Sequence, residues 1–148
     1  MILNGENING WINFNKPKGL SSFKCVYLLK NIIKIKKIGH AGTLDPLASG
    51  VLPIALGEAT KTIRFAFESK KTYLFRINWG SETSTDDKEG EVINSSIQRP
   101  NKKSILEKIK LFRGEIFQKP PNYSAIKING KRAYELARSG KTPKLQER

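Results

Sequence analysis

Gly39-His-Ala-Gly-Thr-Leu-Asp-Pro-Leu-Ala-Ser-Gly50 runs directly into Val51-Leu-Pro-Ile-Ala-Leu56. The first twelve residues hold three glycines and the step Asp45-Pro46, which together specify a loop. The next six form a short apolar strand, in which Pro53 predicts an edge position or a bulge. Upstream, Gly10 to Asn15 reads as a strand ended by the turn Lys16-Pro-Lys-Gly19. Ser21 or Ser22 can then cap a helix whose apolar face carries Val26, Leu29 and Ile33, widened by Leu28 and Ile32. Downstream, residues 58–67 read as a helix bearing Lys61 and Arg64. In residues 72–79, Tyr73, Phe75, Ile77 and Trp79 alternate with Leu74, Arg76 and Asn78, the period of a strand. A polar loop follows over 80–91. A helix over 101–113 carries Ile105, Ile109 and Phe112 on one face and stops at Gly114. Ser124 to Ile128 and the Asn129-Gly130 turn suggest a strand end or hairpin, followed by a last helix over 131–139 that stops at Gly140. Strands and helices mix without a regular βαβ alternation, so the expected class is α+β.

The 148 residues allow one ordinary domain or a piece of a larger one. At 38% hydrophobic and 27% charged residues, the chain is too apolar to be intrinsically disordered. Its formal net charge of +14 raises the expectation of a polyanionic partner. The charge is uneven. Residues 1–71 hold 11 basic and 4 acidic residues, residues 72–98 hold 2 and 5, and residues 99–148 hold 14 and 4. Two basic blocks thus flank an acidic insert, although a lysine-rich solvated surface is the plainer reading of the same numbers. The single cysteine, Cys25, excludes an intramolecular disulfide and a Cys-rich zinc site. The single histidine, His40, excludes a multi-His metal site. No apolar run approaches the roughly 20 residues of a membrane span. The start, Met1 to Asn7, lacks the pattern of a signal peptide. A cytoplasmic location is the expectation. The polar ending, Lys144-Leu-Gln-Glu-Arg148, reads as a connector after a helix, and a fragment is expected.

Asp45, on a glycine-flanked loop stiffened by Pro46, has the setting of a nucleophile or base. The competing use is an Asx turn ahead of the proline, which composition alone favours. The Gly-Lys-Ser/Thr ending of a phosphate loop is absent. Thr83 to Gly90 lacks the spaced acids of a calcium loop. His40 alone can be a base, a stacking surface or structural. Lys61 with Arg64, and Lys131 with Arg132 and Arg138, are solvated helix faces or phosphate contacts.

Together these segments resemble the TruB-type tRNA pseudouridine-55 synthases of bacteria. Asn15-Lys-Pro-Lys-Gly-Leu-Ser-Ser22 is similar to the family's first motif, Gly39 to Gly50 to its catalytic motif, and Gly57-Glu-Ala-Thr-Lys61 to the segment after it. Lys71-Thr-Tyr73 resembles the strand bearing the active-site tyrosine. Pro121-Asn-Tyr-Ser-Ala-Ile-Lys127 and Gly130 to Gly140 resemble the segment after the basic helix.

The resemblance implies a mixed, largely antiparallel sheet with flanking helices. It implies that residues 1–148 are the N-terminal portion of a pseudouridine-synthase catalytic domain, whose remainder and C-terminal RNA-binding domain lie beyond Arg148, together with the arginine that pairs with the catalytic aspartate. The implied reaction detaches uracil from C1′ of a uridine in the T loop of tRNA, turns the base and rejoins it through C5. Asp45 is the implied catalytic carboxylate, with attack on the sugar, attack on the base or removal of the C2′ proton open to it. Tyr73 lines the uracil pocket and is a candidate for C5 proton removal. His40 contacts RNA where the target nucleotide has left its stack. Lys16 and Pro17 brace the catalytic loop, Lys16 also being counted among the RNA contacts with Lys61, Arg64, Lys127 and Arg138. No cofactor, metal, guide RNA or membrane is implied, the partner is the tRNA T stem-loop, and a monomer is expected. One departure is Ser84, where the family's Thr-Asp-Thr-x-Asp stretch has an aspartate. The alternatives are a catalytically silent tRNA-binding module and a basic RNA-binding protein of ribosomal type, which has no need of the loop 39–50.

Overall fold

The computed structural model describes residues 8–124 and 126–147. The stretch Met1–Asn7, read above for a leader, lies outside them, as do Ala125 and Arg148. The chain divides into two compact units, Met1–Tyr73 and Leu74–Arg148.

In the first unit, β1 (Gly10–Lys16), α1 (Ser22–Ile33), β2 (Ile38–His40) and β3 (Gly50–Leu56) come in chain order, then a 3-10 stretch over Gly57–Thr62 and α2 (Ile63–Phe67). The sheet is antiparallel with strand order β1-β3-β2. Lys16 pairs with Gly50 and Gly10 with Leu56, while His40 pairs with Ile54. β1 alternates as a half-buried strand should: Ile12 and Phe14 pack on the core, whereas Trp11, Asn13 and Asn15 are exposed. The core gathers Cys25 and Ile33 of α1, Ile35, and Leu52, Ile54 and Leu56 of β3, each less than one-tenth exposed.

β3 is the central strand, not an edge, and it accommodates Pro53 for a geometric reason. The Pro53 carbonyl accepts the Ala41 N–H at 2.9 Å, so this residue's hydrogen-bonding side faces β2. β2 ends at His40, one residue earlier. The missing N–H therefore falls where the neighbouring strand gives out, and the ladder to β1 is untouched.

Ser21 is the N-cap of α1, its Oγ accepting the Lys24 N–H at 3.1 Å. The buried stripe is narrower than its periodicity predicts. Val26, Leu29 and Ile33 face the core, but Leu28 is 39% and Ile32 70% exposed.

The second unit holds the hairpin β4 (Ser81–Thr83) with β5 (Val92–Ser95), then α3 (Lys102–Ile109) continued by a 3-10 turn over Lys110–Phe112. It ends with the hairpin β6 (Lys127–Ile128) with β7 (Lys131–Arg132) and with α4 (Ala133–Arg138). Asn129 at φ 49° and Gly130 at φ 84° turn the β6–β7 hairpin. Positive φ at both central residues is what an Asn-Gly hairpin turn requires. Between β4 and β5, Asp87 organises the loop. Its Oδ1 accepts from Thr85 Oγ1 at 2.6 Å and from the Glu89 N–H at 2.8 Å, and its carbonyl accepts from Thr83 Oγ1 at 2.6 Å. The Thr83–Asp87 stretch, with its Ser84 departure, is thus tied into a turn by its own side chains.

The expected strand over 72–79 is not formed. Residues 71–78 carry no regular secondary structure, and Tyr73, Leu74, Phe75, Ile77 and Trp79 are all exposed. Alternation specifies a strand only when another strand offers its donors and acceptors, and among the described residues none pairs with this stretch.

Candidate active site in the loop after β2

Asp45 lies in the loop between β2 and β3, with its side chain exposed. The backbone around it is held at three consecutive carbonyls. Ser22 Oγ donates to the Leu44 carbonyl at 2.9 Å and accepts the Leu44 N–H at 2.9 Å. The Asp45 carbonyl accepts the Ala48 N–H at 3.0 Å, and the Pro46 carbonyl accepts the Gly19 N–H at 2.7 Å. The middle closure, Asp45 to Ala48, is a short turn of the loop itself. The two flanking ones come from the turn and helix start after β1, more than twenty residues away in sequence.

Lys16 holds that turn together. It is fully buried at the end of β1, and its Nζ donates to the Pro17 carbonyl at 2.9 Å and the Leu20 carbonyl at 2.6 Å. The side chain has no exposed surface, and two of its three Nζ–H donors go to these carbonyls. With its side chain buried, Lys16 is placed to brace the turn after β1, whereas Lys61, Arg64, Lys127 and Arg138 are exposed.

His40 closes β2 and opens the loop, partly buried. Its Nδ1 pairs with the Gly42 carbonyl, which can only accept, so this contact uses the Nδ1 proton. Tyr73 is 66% exposed in the irregular stretch, and no hydrogen bond joins it to Asp45.

Lys61 is exposed in the 3-10 stretch and paired with Glu58, which also binds Lys37 at 2.7 Å. The sequence reading missed this triad, because Lys37 and Glu58 lie 21 residues apart and only the pairing of β2 with β3 brings them together. Arg64 stacks over Phe65 with its guanidinium carbon 4.7 Å from the ring centre. In the second unit, Lys127 is exposed on β6, and Arg138 lies over the Tyr134 ring at 5.7 Å. Among the described residues no group of three or more His, Cys, Asp or Glu is placed to hold a metal, and no helix is long and apolar enough to cross a membrane.

Hydrogen bonds and charge from Lys37 first, then Lys61, hold the Glu58 carboxyl well below its ordinary value, at about 2. A depressed folded-state pKa contributes stability that is present above the ordinary value of 4.5 and is lost as pH falls toward 2. All three groups are exposed, so that contribution is small and screened by salt. An NMR titration should find the Glu58 midpoint below the ordinary 4.5. Lys37→Met should raise that midpoint more than Lys61→Met does, and a midpoint above about 4 in the parent chain would dissolve the triad.

A family model described as TruB family pseudouridylate synthase, N-terminal domain, matches residues 30–148. The chain belongs to the TruB family. Over 144 residues it is 52% identical to a tRNA pseudouridine synthase B of Bartonella tribocorum and 50% identical to one of Brucella melitensis. Each match covers 97% of this chain but 45% and 44% of those proteins, so the chain spans about half the length of the curated relatives it matches. A solved Cbf5-Nop10-Gar1 complex contains a chain 30% identical, with a TM-score of 0.54, over 85% of this chain and 32% of that one. The TruB likeness thus extends to the fold: helices on antiparallel strands, as the sequence predicts. It takes in the Asp45 loop and the triad, both inside the matched residues.

Proposed function

We propose that this TruB-family chain serves an enzyme that isomerises uridine to pseudouridine in tRNA, at position 55 in the T loop, with Asp45 as the catalytic carboxylate. The observation that carries this reading is the loop around Asp45. Its backbone is fixed at Leu44, Asp45 and Pro46 while the carboxylate stays exposed. An Asx turn would need the Asp45 carboxylate to accept a backbone N–H, and it accepts none among the described residues, while the clamp on its backbone is long-range. A carboxylate presented in this way suits a nucleophile or a base, either of which gains from a fixed line of approach. The reaction breaks the N1–C1′ bond and forms a C5–C1′ bond; C5 loses a proton and N1 takes one up, so atoms and electrons balance.

Support for tRNA as substrate comes from the names of relatives at about half identity, and from the basic charge of the chain. Recognition in this reading is direct, without guide RNA. His40 meets the RNA at the vacated stack, Tyr73 faces the base, and Lys61, Arg64, Lys127 and Arg138 hold phosphates. Residues 1–148 are in this reading the N-terminal portion of the catalytic domain.

The test is to incubate the full chain with tRNA whose uridines carry tritium at C5, and to map pseudouridine in the product. Tritium release confined to the T-loop uridine is expected, with binding that weakens steeply as salt rises. Binding without release would leave a silent tRNA-binding module, and release elsewhere in the tRNA would overturn the assignment to position 55.

A further inference from the structure

The first motif ends in two adjacent serines, and the fold gives them different work. Ser21 caps α1 through the Lys24 N–H. Ser22 is 2% exposed, is spared capping, and reaches across 22 residues to Leu44. Its hydroxyl donates to the carbonyl of Leu44 and accepts the N–H of the same residue, so it grips Leu44 much as a residue on a neighbouring strand would. The Leu44 carbonyl belongs to the peptide that carries the Asp45 nitrogen, and this grip therefore sets the plane from which the Asp45 side chain departs. On the other side, the Gly19 N–H holds the Pro46 carbonyl, and the proline ring fixes φ there.

Resting on the activity proposed above, we infer that Ser22 is a positioning residue for the reaction, one that orients the Asp45 carboxylate by clamping the Leu44 backbone without touching substrate. The Leu44 side chain packs against the apolar cluster of α1 and β3, so the clamp holds the loop where it leaves the core. It acts on a loop that no strand pairing holds. A hydroxyl is the smallest group that can both donate and accept there, and alanine would leave both Leu44 groups without this partner.

The experiment compares Ser22→Ala, Ser22→Thr and Ser21→Ala in the full chain. Single-turnover pseudouridine formation, tRNA affinity, melting temperature and amide exchange at Leu44 are read for each. Ser22→Ala should slow the single turnover about tenfold to a hundredfold, with tRNA affinity within about twofold. It should also speed Leu44 amide exchange about tenfold. Ser22→Thr keeps the hydroxyl and should recover most of the rate. Ser21→Ala weakens the same helix start but should turn over normally once folded, which separates positioning from stability. Should Ser22→Ala fail to fold, Ser22→Cys keeps the volume, weakens the hydrogen bonds and is read the same way. A parental rate in Ser22→Ala, or an equal loss in Ser21→Ala, overturns the proposal. Absence of turnover in the parent chain would sink the activity and not the clamp, whose own readout is Leu44 exchange. Unchanged exchange in Ser22→Ala would remove the clamp whatever the activity.

Discussion

Asp45→Asn in the full chain is expected to reduce pseudouridine formation at least about 10³-fold, some 4 kcal/mol of transition-state stabilisation, while tRNA affinity stays within about threefold. Asparagine matches aspartate in size and can occupy the same exposed position. The loop survives the change, because none of the bonds that hold it uses the Asp45 side chain: Leu44 to Ser22, Asp45 carbonyl to Ala48, Pro46 to Gly19. What disappears is the negative charge, and with it both the nucleophile and the base. Affinity is spared, because binding to a polyanion is carried mainly by phosphate contacts from basic side chains. Single-turnover tritium release from C5-labelled uridine, with Kd measured alongside, checks both halves. Turnover above about 1% of the parent rate would place the chemistry on another group. A large loss of affinity would make Asp45 a binding residue.

The parts of this chain that local chemistry decides were legible in advance. The Ser21 cap, the turn after β1, the loop around Asp45 and the Asn129-Gly130 hairpin each depend on residues within a few positions of one another, whereas β2 (Ile38–His40) and Gly50 of β3 are strand at the ends of the expected loop 39–50. What the sequence hid is long-range. Pro53 reads as an edge residue, because nothing local reveals that β2 stops at His40, just short of the missing N–H. Tyr73 to Trp79 reads as a strand, because alternation records which side chains would share a face and not whether a neighbouring strand is there to pair with. Leu28 and Ile32 are apolar at helical spacing, yet only three-stranded β1-β3-β2 lies under α1, and the stripe it covers is narrower than the stripe α1 offers. At the site, Asp45 was found through its loop. The second function of the Ser21-Ser22 pair was not, since a hydroxyl bonded 22 residues away leaves no local mark. Lys16 reads both as a brace and as an RNA contact, since a lysine in a basic chain looks the same whether its Nζ meets solvent or a carbonyl.

That ambiguity is resolved by the variant with the second largest expected effect. Lys16→Met should destabilise the first unit by about 2–3 kcal/mol, because methionine fills most of the space and leaves the Pro17 and Leu20 carbonyls without their donor. Buried polar groups can be exchanged for apolar ones at little cost when both partners go together, but here the acceptors are backbone and stay. A loss of this size should lower the melting temperature by roughly 5–15 °C. It should be visible as a lower urea midpoint with an unchanged m-value. The turn that Lys16 gathers carries Gly19 and leads into Ser22, so molecules that remain folded should also turn over more slowly, through the loop they hold. The salt dependence of tRNA binding discriminates between the two readings. A phosphate contact removed would flatten the slope of log K against log salt by about 0.7–0.9, whereas a buried brace removed leaves the slope of the folded fraction where it was. Lys16 is fully buried beside Gly50 at the end of β1, so an unchanged slope is expected. A flattened slope with an unchanged urea midpoint would return Lys16 to the RNA surface and leave the turn after β1 to be held by Gly19 and Ser22 alone.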